Sequence, residues 1–315
     1  RQADNPSCNT SMAHYLIVRT SSLGDVALSL RLVYAVAKQY PEHRFTYLMK
    51  PSITGILVSP PHNLEAMAID IKHSDRSLFG LISLSNKLIY DRFDAIIDLQ
   101  RSWRSRFLSR RLRCCRARIR CTRIAKSAVV KRCQEHISLS DTEQMLSLFA
   151  DTFVRAGLHV QAPYPSFPRI HYPEIHPNPF SIGIAPLQGE QPIQDDFERT
   201  AGLLSALREA FPYATFYLLG VKKELFSKYS NLFELLPRGV NFITGLSFAH
   251  ELAYLSQLSC LITVDNSMAH LARLMDTPFI EIPSIHTEEN TLLSIIHQIQ
   301  SITSEQPVSH ECENQ

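Results

Sequence analysis

The sequence lacks features that mark several other classes of protein. No apolar run approaches the roughly 18 to 20 residues that a membrane-spanning helix needs. The first apolar segment stops at Arg19 after four residues, too short for the core of a signal peptide. Glycine is scarce, and the first strand–turn–helix segment has only Gly24 where a dinucleotide-binding fingerprint has three glycines. The sequence therefore argues against a nicotinamide-dependent dehydrogenase.

Cysteine usage argues against a disulfide framework. The seven cysteines are odd in number and irregularly spaced, which indicates reduced thiols, as in a cytosol. A zinc site is the alternative for one group, but its spacing matches no usual zinc finger. That group consists of Cys114, Cys115, Cys121, Cys133 and His136.

The pattern of apolar segments and prolines predicts two halves of similar size. A chain of 315 residues with 45% hydrophobic and 20% charged residues is long enough for two full cores. Strand-like and helical segments alternate on both sides of a proline-crowded stretch, which cannot form a helix or a central strand. We predict an α/β protein with two domains, each a parallel sheet flanked by helices, and a cleft between them. The predicted parts are 1–13 (disordered or artefactual, with Met12 the natural start), 14–165 (first domain), 166–180 (linker), 181–300 (second domain) and 301–315 (polar tail).

The segment Tyr15–Val26 predicts a ligand-binding turn in the first half. Tyr15–Val18 has the character of a buried strand, a polar turn follows, and apolar residues from Val26 onward have helical spacing. Ligands bind beyond the carboxyl ends of strands in an open parallel sheet, so the turn lies where chemistry is usually done. Its one carboxylate, Asp25, is either a chemical group of the site or a helix-start residue favoured by the dipole.

A second strand–turn–helix segment is predicted in the other half. Cys260–Val264 reads as a strand, the next three residues as a turn, and Met268–Met275 as a helix bearing His270. The free amides at such a helix start can bind phosphate without any glycine motif. His270 is either a cation beside a diphosphate or a partly buried histidine bonded to a carbonyl.

Positive charge is concentrated between Arg101 and Arg132, a segment without any acidic residue. It predicts contact with an anionic acceptor, an anionic membrane surface or nucleic acid, unless the arginines are simply a solvated helix face. Nucleic acid is the weakest of these predicted partners, because only Trp103 and Phe107 in this segment could stack on bases. A polyanionic lipid or sugar phosphate fits better, since guanidinium pairs with two phosphate oxygens at once.

Two of these segments resemble the signatures of glycosyltransferase family 9, the lipopolysaccharide heptosyltransferases. Leu16–Val26 resembles the amino-terminal signature, in which a strand and a basic residue precede a Ser-Ser/Ala-Leu/Met-Gly-Asp run. Leu261–Leu271 is similar to the carboxyl-terminal signature, in which Asp, two small polar residues and two variable residues precede His. Phe93–Leu99 resembles a family strand between them. The two signatures stand in the right order, about 240 residues apart, and the resemblance spans nearly all of Tyr15 to about Ile282.

The resemblance implies a GT-B fold of two facing Rossmann-like domains, the first for the acceptor and the second for the nucleotide-sugar donor. Asp25 is implied as the catalytic general base, which takes a proton from an acceptor hydroxyl during an inverting attack. The implied donor-binding residues are Asp265, Asn266, Ser267, Met268, Ala269 and His270, and the implied acceptor-binding residues are Thr20, Ser21, Ser22, Gly24, Arg101 and Arg104.

The resemblance also implies the partners. The donor is expected to be a nucleotide-diphosphate sugar such as ADP-heptose, with no separate cofactor. The acceptor is expected to be an anionic, lipid-linked lipopolysaccharide core at the cytoplasmic face of the inner membrane, with peripheral contact between the protein and that anionic surface. No metal is expected, because a helix terminus and cations can stabilise the departing diphosphate.

The donor loop departs from the family pattern. The family has a lysine after the first strand of the second domain, but no lysine occurs from Gln161 to Val221. Its loss removes a charge-assisted hydrogen bond, of the order of 1.5 to 3 kcal/mol. A Gly-x-Thr loop of the family is also altered, reading Pro283 to Thr287 here. The alternative hypothesis is therefore a degenerate, non-catalytic member that binds an anionic glycolipid or a partner.

Overall fold

The computed structural model of the chain describes residues 12–70, 77–133, 137–169, 171–175, 180–186, 194–220, 234–243, 246–264, 266–282 and 289–305. It divides into two compact units, of which the first ends at Phe167 and the second begins at Pro168. Within these described ranges, no helix is both long and apolar enough to cross a membrane.

The first unit alternates strands with helices. Its strands are β1 (His14–Val18), β2 (Arg44–Met49), β3 (Leu64–Ala68), β4 (Ala95–Asp98) and β5 (Arg120–Arg123). Its α-helices are α1 (Leu23–Gln39), α2 (Leu78–Tyr90), α3 (Trp103–Cys115), α4 (Ala128–Arg132) and α5 (Thr142–Arg155), with short 3-10 turns at Pro51–Ile56 and Leu139–Asp141.

The second unit repeats the alternation. Its strands are β6 (Ser181–Ala185), β7 (Thr215–Leu218), β8 (Val240–Phe242), β9 (Cys260–Thr263) and β10 (Phe279–Glu281). Its described helices are α6 (Gln194–Ala210), α7 (Phe248–Leu255), α8 (Asn266–Leu274) and α9 (Glu289–Glu305).

The two sheets have the same topology. The first has the strand order β3-β2-β1-β4-β5 and the second the order β10-β9-β6-β7-β8, with parallel pairing throughout. Counted within its own unit, each sheet therefore runs 3-2-1-4-5. The order reverses between β1 and β4 in the first sheet and between β6 and β9 in the second. Such a switch point opens a crevice at the carboxyl ends of the strands, where ligands bind in open α/β sheets.

Each sheet has its own hydrophobic core. In the first unit, Leu16 and Ile96 pack with side chains of α2 and α3, including Leu84 and Leu108. In the second unit, the strands pack against α6 and α9 in a cluster that includes Ile182, Leu204, Ile262 and Ile299. Burial of these apolar side chains is the main stabilising contribution to each unit.

Several predicted elements are confirmed, with shifted bounds. The α1 helix begins at Leu23, earlier than the apolar pattern indicates, because the Ser22 side chain caps it, so Gly24 and Asp25 belong to its first turn. Ser247 caps α7, because its side chain accepts a hydrogen bond from the His250 amide. Gly157, just after α5, has a left-handed φ of +90°, which suits a glycine at a helix end.

Two elements differ from the sequence-based expectation. The basic segment contains a strand, β5, flanked by α3 and α4, whereas the sequence pattern indicated at most a helix face. Helix α9 extends to Glu305, into the segment predicted as a polar tail from residue 301, and Ile302 packs against the core of the second unit.

Candidate active site

The switch point of the first sheet brings the turn after β1 beside the loop after β4. The Thr20 amide donates a hydrogen bond to Oε1 of Gln100 at 3.1 Å. Arg19, which directly follows β1, donates from Nη1 to the Leu99 carbonyl at 3.0 Å. Backbone and side chain thus tie the predicted ligand-binding turn to the neighbouring strand end.

Asp25 lies inside this switch point. Asp25 belongs to the first turn of α1, and it is only 1% exposed. Oδ1 accepts a hydrogen bond from the Ile137 amide at 2.7 Å, while Oδ2 lies 3.3 Å from Nη2 of Arg19. Oδ2 accepts no hydrogen bond from the described residues. One carboxylate oxygen is therefore held by the backbone, and the other faces a fixed cation.

Arg19 is a residue of the site to which the sequence analysis assigned no role. It is 1% exposed, and its guanidinium lies 5.4 Å from the centre of the Phe149 ring. Nη2 also donates to the Cys133 carbonyl at 3.4 Å. A buried arginine needs such partners, because an unpaired charge is costly away from water. Its position as the basic residue of the amino-terminal signature was the available signal.

Asp98 shapes the loop after β4. Its Oδ1 accepts hydrogen bonds from the amides of Gln100 and Arg101, at 3.1 and 2.8 Å. Its Oδ2 accepts a hydrogen bond from Ser105 and pairs with Arg123 at 3.4 Å. Burial raises the pKa of Asp98, and these partners act in the opposite direction. The turn places Arg101 in the left-handed region, with a φ of +54°.

The predicted acceptor-binding residues lie around this edge of the sheet. Thr20 and Ser21 are buried, Ser22 caps α1, and Gly24 is buried in its first turn. Thr20 and Arg104 line one narrow cavity, and Arg104 stacks on Trp103 at 4.6 Å. Arg101 lines a different, open cavity of about 480 Å³, with Arg106, Lys126, Ser127, Ala128, Val130 and Lys131. The structure therefore divides the two predicted acceptor arginines between two neighbouring cavities.

The predicted donor residues occupy the start of α8 in the second unit. Asn266 begins the helix, Ser267 and Met268 are half-buried, and Ala269 and His270 are buried. Met268 packs against Gly220, which follows β7 with a φ of +74°. Asp265, the altered loop at residues 187–193 and the segment at 283–288 lie outside the described residues.

Among the described residues, no group of three or more His, Cys, Asp or Glu side chains lies together as a metal site would require. The described members of the candidate zinc group, Cys114, Cys115, Cys121 and Cys133, are reduced thiols rather than halves of a disulfide. His136, the fifth member, lies outside the described residues.

Comparison with known proteins gives one short sequence match. The chain is 31% identical over 93 residues to the lipopolysaccharide core heptosyltransferase OpsX of Haemophilus influenzae. The match covers 30% of this chain and 26% of the length of the Haemophilus protein. No protein-family model matches the chain.

Solved structures share the fold over nearly the whole chain. A glycosyl transferase of family 9 from Veillonella parvula superposes with a TM-score of 0.64 at 13% identity, covering 93% of this chain and 96% of that one. The heptosyltransferase WaaC of E. coli, solved with ADP-2-deoxy-2-fluoro heptose, superposes with a TM-score of 0.63 at 14% identity, covering 91% and 99%. The predicted α/β fold of GT-B type is confirmed.

Proposed function

We propose that this chain is a glycosyltransferase. Its resemblance to glycosyltransferase family 9 is supported by two sequence signatures and by the fold of solved family members. It transfers a heptose or a related sugar from a nucleotide-diphosphate donor, such as ADP-heptose, to an anionic lipopolysaccharide core acceptor. The observation that carries the proposal is the buried Asp25 carboxylate at the switch point of the first sheet.

Asp25 has the environment of a positioned base. Its Oδ1 is occupied by the Ile137 amide, so Oδ2 is the atom that we assign to the incoming proton. An acceptor hydroxyl gives its proton to Oδ2 as its oxygen attacks the anomeric carbon of the donor sugar. The bond from that carbon to the diphosphate breaks, nucleoside diphosphate leaves from the opposite face, and the configuration inverts.

Arg19 supports this role by position. Its guanidinium is held by two carbonyl oxygens and an aromatic face, so it cannot swing away from Oδ2 without losing those contacts. A fixed cation offsets the burial of the carboxylate. Arg19 also restricts the direction from which an acceptor hydroxyl can approach, because its guanidinium lies on one side of the Asp25 Oδ2 atom.

The charge of the first unit favours an anionic acceptor. Four cations, Arg101, Arg106, Lys126 and Lys131, line the open cavity of about 480 Å³ beyond the ends of β4 and β5. That cavity has the volume of a small-molecule site. Phosphate groups on the acceptor core would bind there by paired hydrogen bonds from arginine and by the charge of the lysines.

The start of α8 supports a diphosphate on the donor side. Helix α8 begins at Asn266, and the start of an α-helix favours negative charge because its backbone N–H groups point toward a ligand there. We assign the donor phosphates to the segment from Asp265 to His270. Developing charge on the departing diphosphate would be stabilised there, without requiring a metal.

The test is release of nucleoside diphosphate from ADP-heptose in the presence of core acceptor. Asp25→Asn keeps the side-chain shape, and we expect it to lower turnover by at least roughly a hundredfold, as for loss of a general base. Asp151→Asn, at an exposed carboxylate on α5, is the matched control and should keep the parent rate. Stabilisation of Asp25→Asn by ADP-heptose in a thermal melt shows that the variant remains folded.

The outcomes separate the proposal from its rival. Turnover that survives Asp25→Asn removes Asp25 as the base. A parent protein that turns over no donor from a panel of ADP-, GDP- and UDP-sugars, yet binds core acceptor, supports the non-catalytic alternative that the missing donor-loop lysine suggests.

A further inference from the structure

Asp98 is a fully buried carboxylate to which the proposed reaction assigns no role. It is the last residue of β4, and its side chain is 0% exposed. Within the first sheet it lies in register with Val18 of β1 on one side and with Arg123 of β5 on the other. A buried charge is costly unless it is paired and hydrogen-bonded, so the partners of Asp98 show which parts of the site it holds in place.

One oxygen of Asp98 shapes the turn that follows the strand. Oδ1 accepts hydrogen bonds from the amides of Gln100 and Arg101, which lie two and three residues ahead, and an aspartate fixes a tight turn in this way. Arg101 has a φ of +54°, which is unfavourable for a residue with a Cβ, and the bond from its amide to Asp98 offsets that strain. Asp98 therefore keeps Arg101 in a conformation that it does not prefer by itself.

The other oxygen of Asp98 ties the turn to two neighbouring elements. Oδ2 accepts a hydrogen bond at 2.9 Å from Ser105, in the first turn of α3, and lies 3.4 Å from Nε of Arg123, the last residue of β5. The Asp98 carbonyl accepts a hydrogen bond from the Ile124 amide, and the Ile124 carbonyl accepts one from Nη1 of Arg101. These contacts close a ring, so Asp98 places the guanidinium of Arg101 as well as its backbone.

The turn that Asp98 fixes connects the two parts of the proposed acceptor site. On one side, Oε1 of Gln100 accepts a hydrogen bond from the Thr20 amide, in the turn that leads to Asp25. On the other side, Arg101 lines the open basic cavity, and its Nε makes no hydrogen bond among the described residues. Two adjacent residues thus connect the proposed base with the cavity assigned to acceptor phosphate, and Asp98 holds both of them.

We propose that Asp98 is a positioning residue, which holds Arg101 at the distance from Asp25 that separates a phosphate group from the reacting hydroxyl of the same acceptor. This role rests on the proposed function, because it concerns the acceptor of that reaction. Orientation of a bound reactant contributes to its rate, and a small displacement of a positioning group lowers that contribution. Asp98 itself contacts neither phosphate nor sugar, since it acts through Arg101. It therefore controls the preference for a phosphorylated acceptor over the same acceptor without phosphate.

The first experiment measures acceptor binding without the donor. The affinity of the full chain for a soluble, delipidated core acceptor that carries phosphate is compared, by calorimetry, with its affinity for the same acceptor after phosphatase treatment. Asp98→Asn keeps the shape of the side chain but removes its charge and its pairing with Arg123. We expect this variant to bind the phosphorylated acceptor roughly tenfold more weakly, as for one hydrogen bond to a charged group, and the dephosphorylated acceptor within about twofold of the parent.

Asp94→Asn is the matched control, because Asp94 stands just before the same strand, at its opposite end. Asp94 is exposed, and its carboxylate accepts a hydrogen bond from the His14 amide at 2.9 Å. This control should bind both acceptors as the parent does. Equal weakening of both acceptors by Asp98→Asn would show that Asp98 only stabilises the fold, and would overturn the proposal. Unchanged binding of the phosphorylated acceptor would overturn it as well.

A double substitution tests whether Asp98 acts through Arg101. Arg101→Ala removes the cation itself and should lower the preference for phosphate by a similar factor. If Asp98 acts by placing that cation, Asp98→Asn causes no further loss of preference in the Arg101→Ala background, because the effects of coupled residues are not additive. Two independent losses that add up in the double variant would contradict the proposal.

Ser105→Ala provides a milder change, in case Asp98→Asn does not fold. It removes the hydrogen bond from Ser105 to Oδ2 of Asp98 and alters no charge. We expect it to lower the preference for the phosphorylated acceptor by about threefold, as for one neutral hydrogen bond. Ser109→Ala, one turn further along α3, removes a hydrogen bond to a backbone carbonyl instead and should keep the parent preference. The same preference in both serine variants would overturn the proposal.

The outcome is distinguishable from failure of the proposed function. Acceptor binding without donor needs no turnover, so the preference for phosphate is measured even if no nucleoside diphosphate is released. With a parent that uses ADP-heptose, Asp98→Asn should raise the KM for the phosphorylated acceptor and leave the KM for the donor unchanged. Turnover with an unchanged acceptor preference would overturn the positioning role of Asp98 and leave the transferase proposal in place.

Discussion

The guanidinium of Arg19 lies 3.3 Å from the carboxylate of Asp25, and both residues are 1% exposed. The pair joins the end of β1 to the first turn of α1. The Ile137 amide donates a hydrogen bond to Asp25, and the Cys133 carbonyl accepts one from Arg19. An ion pair in this position orders three separate segments around one carboxylate. Its energetic consequence is asymmetric, because losing one partner leaves the other charged and buried.

We therefore expect Arg19→Met to lower the free energy of unfolding by about 3 kcal/mol or more, the range observed when one partner of a buried pair is removed. The measurement is urea unfolding followed by circular dichroism. Arg44→Met is the control, because Arg44 pairs with Glu65 at 2.8 Å while both side chains are about half exposed. Loss of that pair should cost less than about 1 kcal/mol. Equal effects of the two substitutions would show that burial does not strengthen the Arg19–Asp25 pair.

Arg101 allows a prediction about backbone strain. Its φ of +54° is left-handed, which costs a residue with a Cβ about 1 kcal/mol or more. Arg101→Gly and Arg101→Ala both remove the hydrogen bond to the Ile124 carbonyl, so they differ mainly in this strain. We expect the glycine variant to be the more stable of the two by about 1 kcal/mol, measured as the difference in urea unfolding.

The same pair of substitutions at Arg110 provides the control. Arg110 lies within α3, where alanine is favoured over glycine by about 1 kcal/mol. The order of the two variants should therefore reverse between positions 101 and 110. The same order at both positions would contradict the strained conformation of Arg101. Both Arg101 variants should bind an anionic acceptor more weakly than the parent, because each removes a cation from the open cavity.

The strands of the first sheet differ in how well the sequence predicts them. β4 is buried along its whole length and β1 at every residue after His14, so their sequences are short, largely apolar runs. β5, with the sequence Arg-Cys-Thr-Arg, has no such run, because it is half-buried and, among the described strands, lies at the edge of the sheet beside β4. The sequence of β5 therefore resembles the basic segment around it, and its pairing with β4 in the structure is what identifies it as a strand.

The candidate site shows the same limit. Asp25 is predictable because it stands on a strand–turn–helix segment that matches a known signature. The burial of Arg19 is not, because it depends on Leu99 and Cys133, which are 80 and 114 residues away in sequence. Arginine in a local pattern is usually a surface residue, and only long-range contacts show that this one is not. The roles of the donor and acceptor residues stay predictions.

Metal independence is a further consequence of the proposed chemistry. If the amides at the start of α8 and nearby cations stabilise the leaving diphosphate, turnover should persist at the parent rate after incubation with EDTA. The measurement is release of nucleoside diphosphate with and without the chelator, followed by addition of excess magnesium. A loss of activity that magnesium restores would show that the donor site depends on a divalent cation.

Glu251 is a carboxyl group in an apolar setting in the second unit. It stands in the first turn of α7 and lines a narrow cavity with Leu219, Phe248 and Met268 among others. Burial raises the pKa of Glu251 from 4.5 to about 7, and no other cause contributes. At low pH both the folded and the unfolded chain carry a neutral carboxyl, so burial costs no charge desolvation. Between pH 4.5 and 7 only the unfolded chain ionises, so folding loses stability as the pH rises through this window.

Glu251→Gln should remove this pH dependence. A pKa of about 7 in the folded protein against 4.5 in the unfolded chain corresponds to roughly 3 kcal/mol. We therefore expect the glutamine variant to gain up to about 3 kcal/mol relative to the parent between pH 4.5 and pH 8, measured by urea unfolding at a series of pH values. Glu209→Gln, at an exposed position of α6, is the control and should follow the parent at every pH. If the gain of Glu251→Gln is the same at pH 4.5 and pH 8, the carboxyl is solvated in the folded protein and the cavity does not exclude water from it.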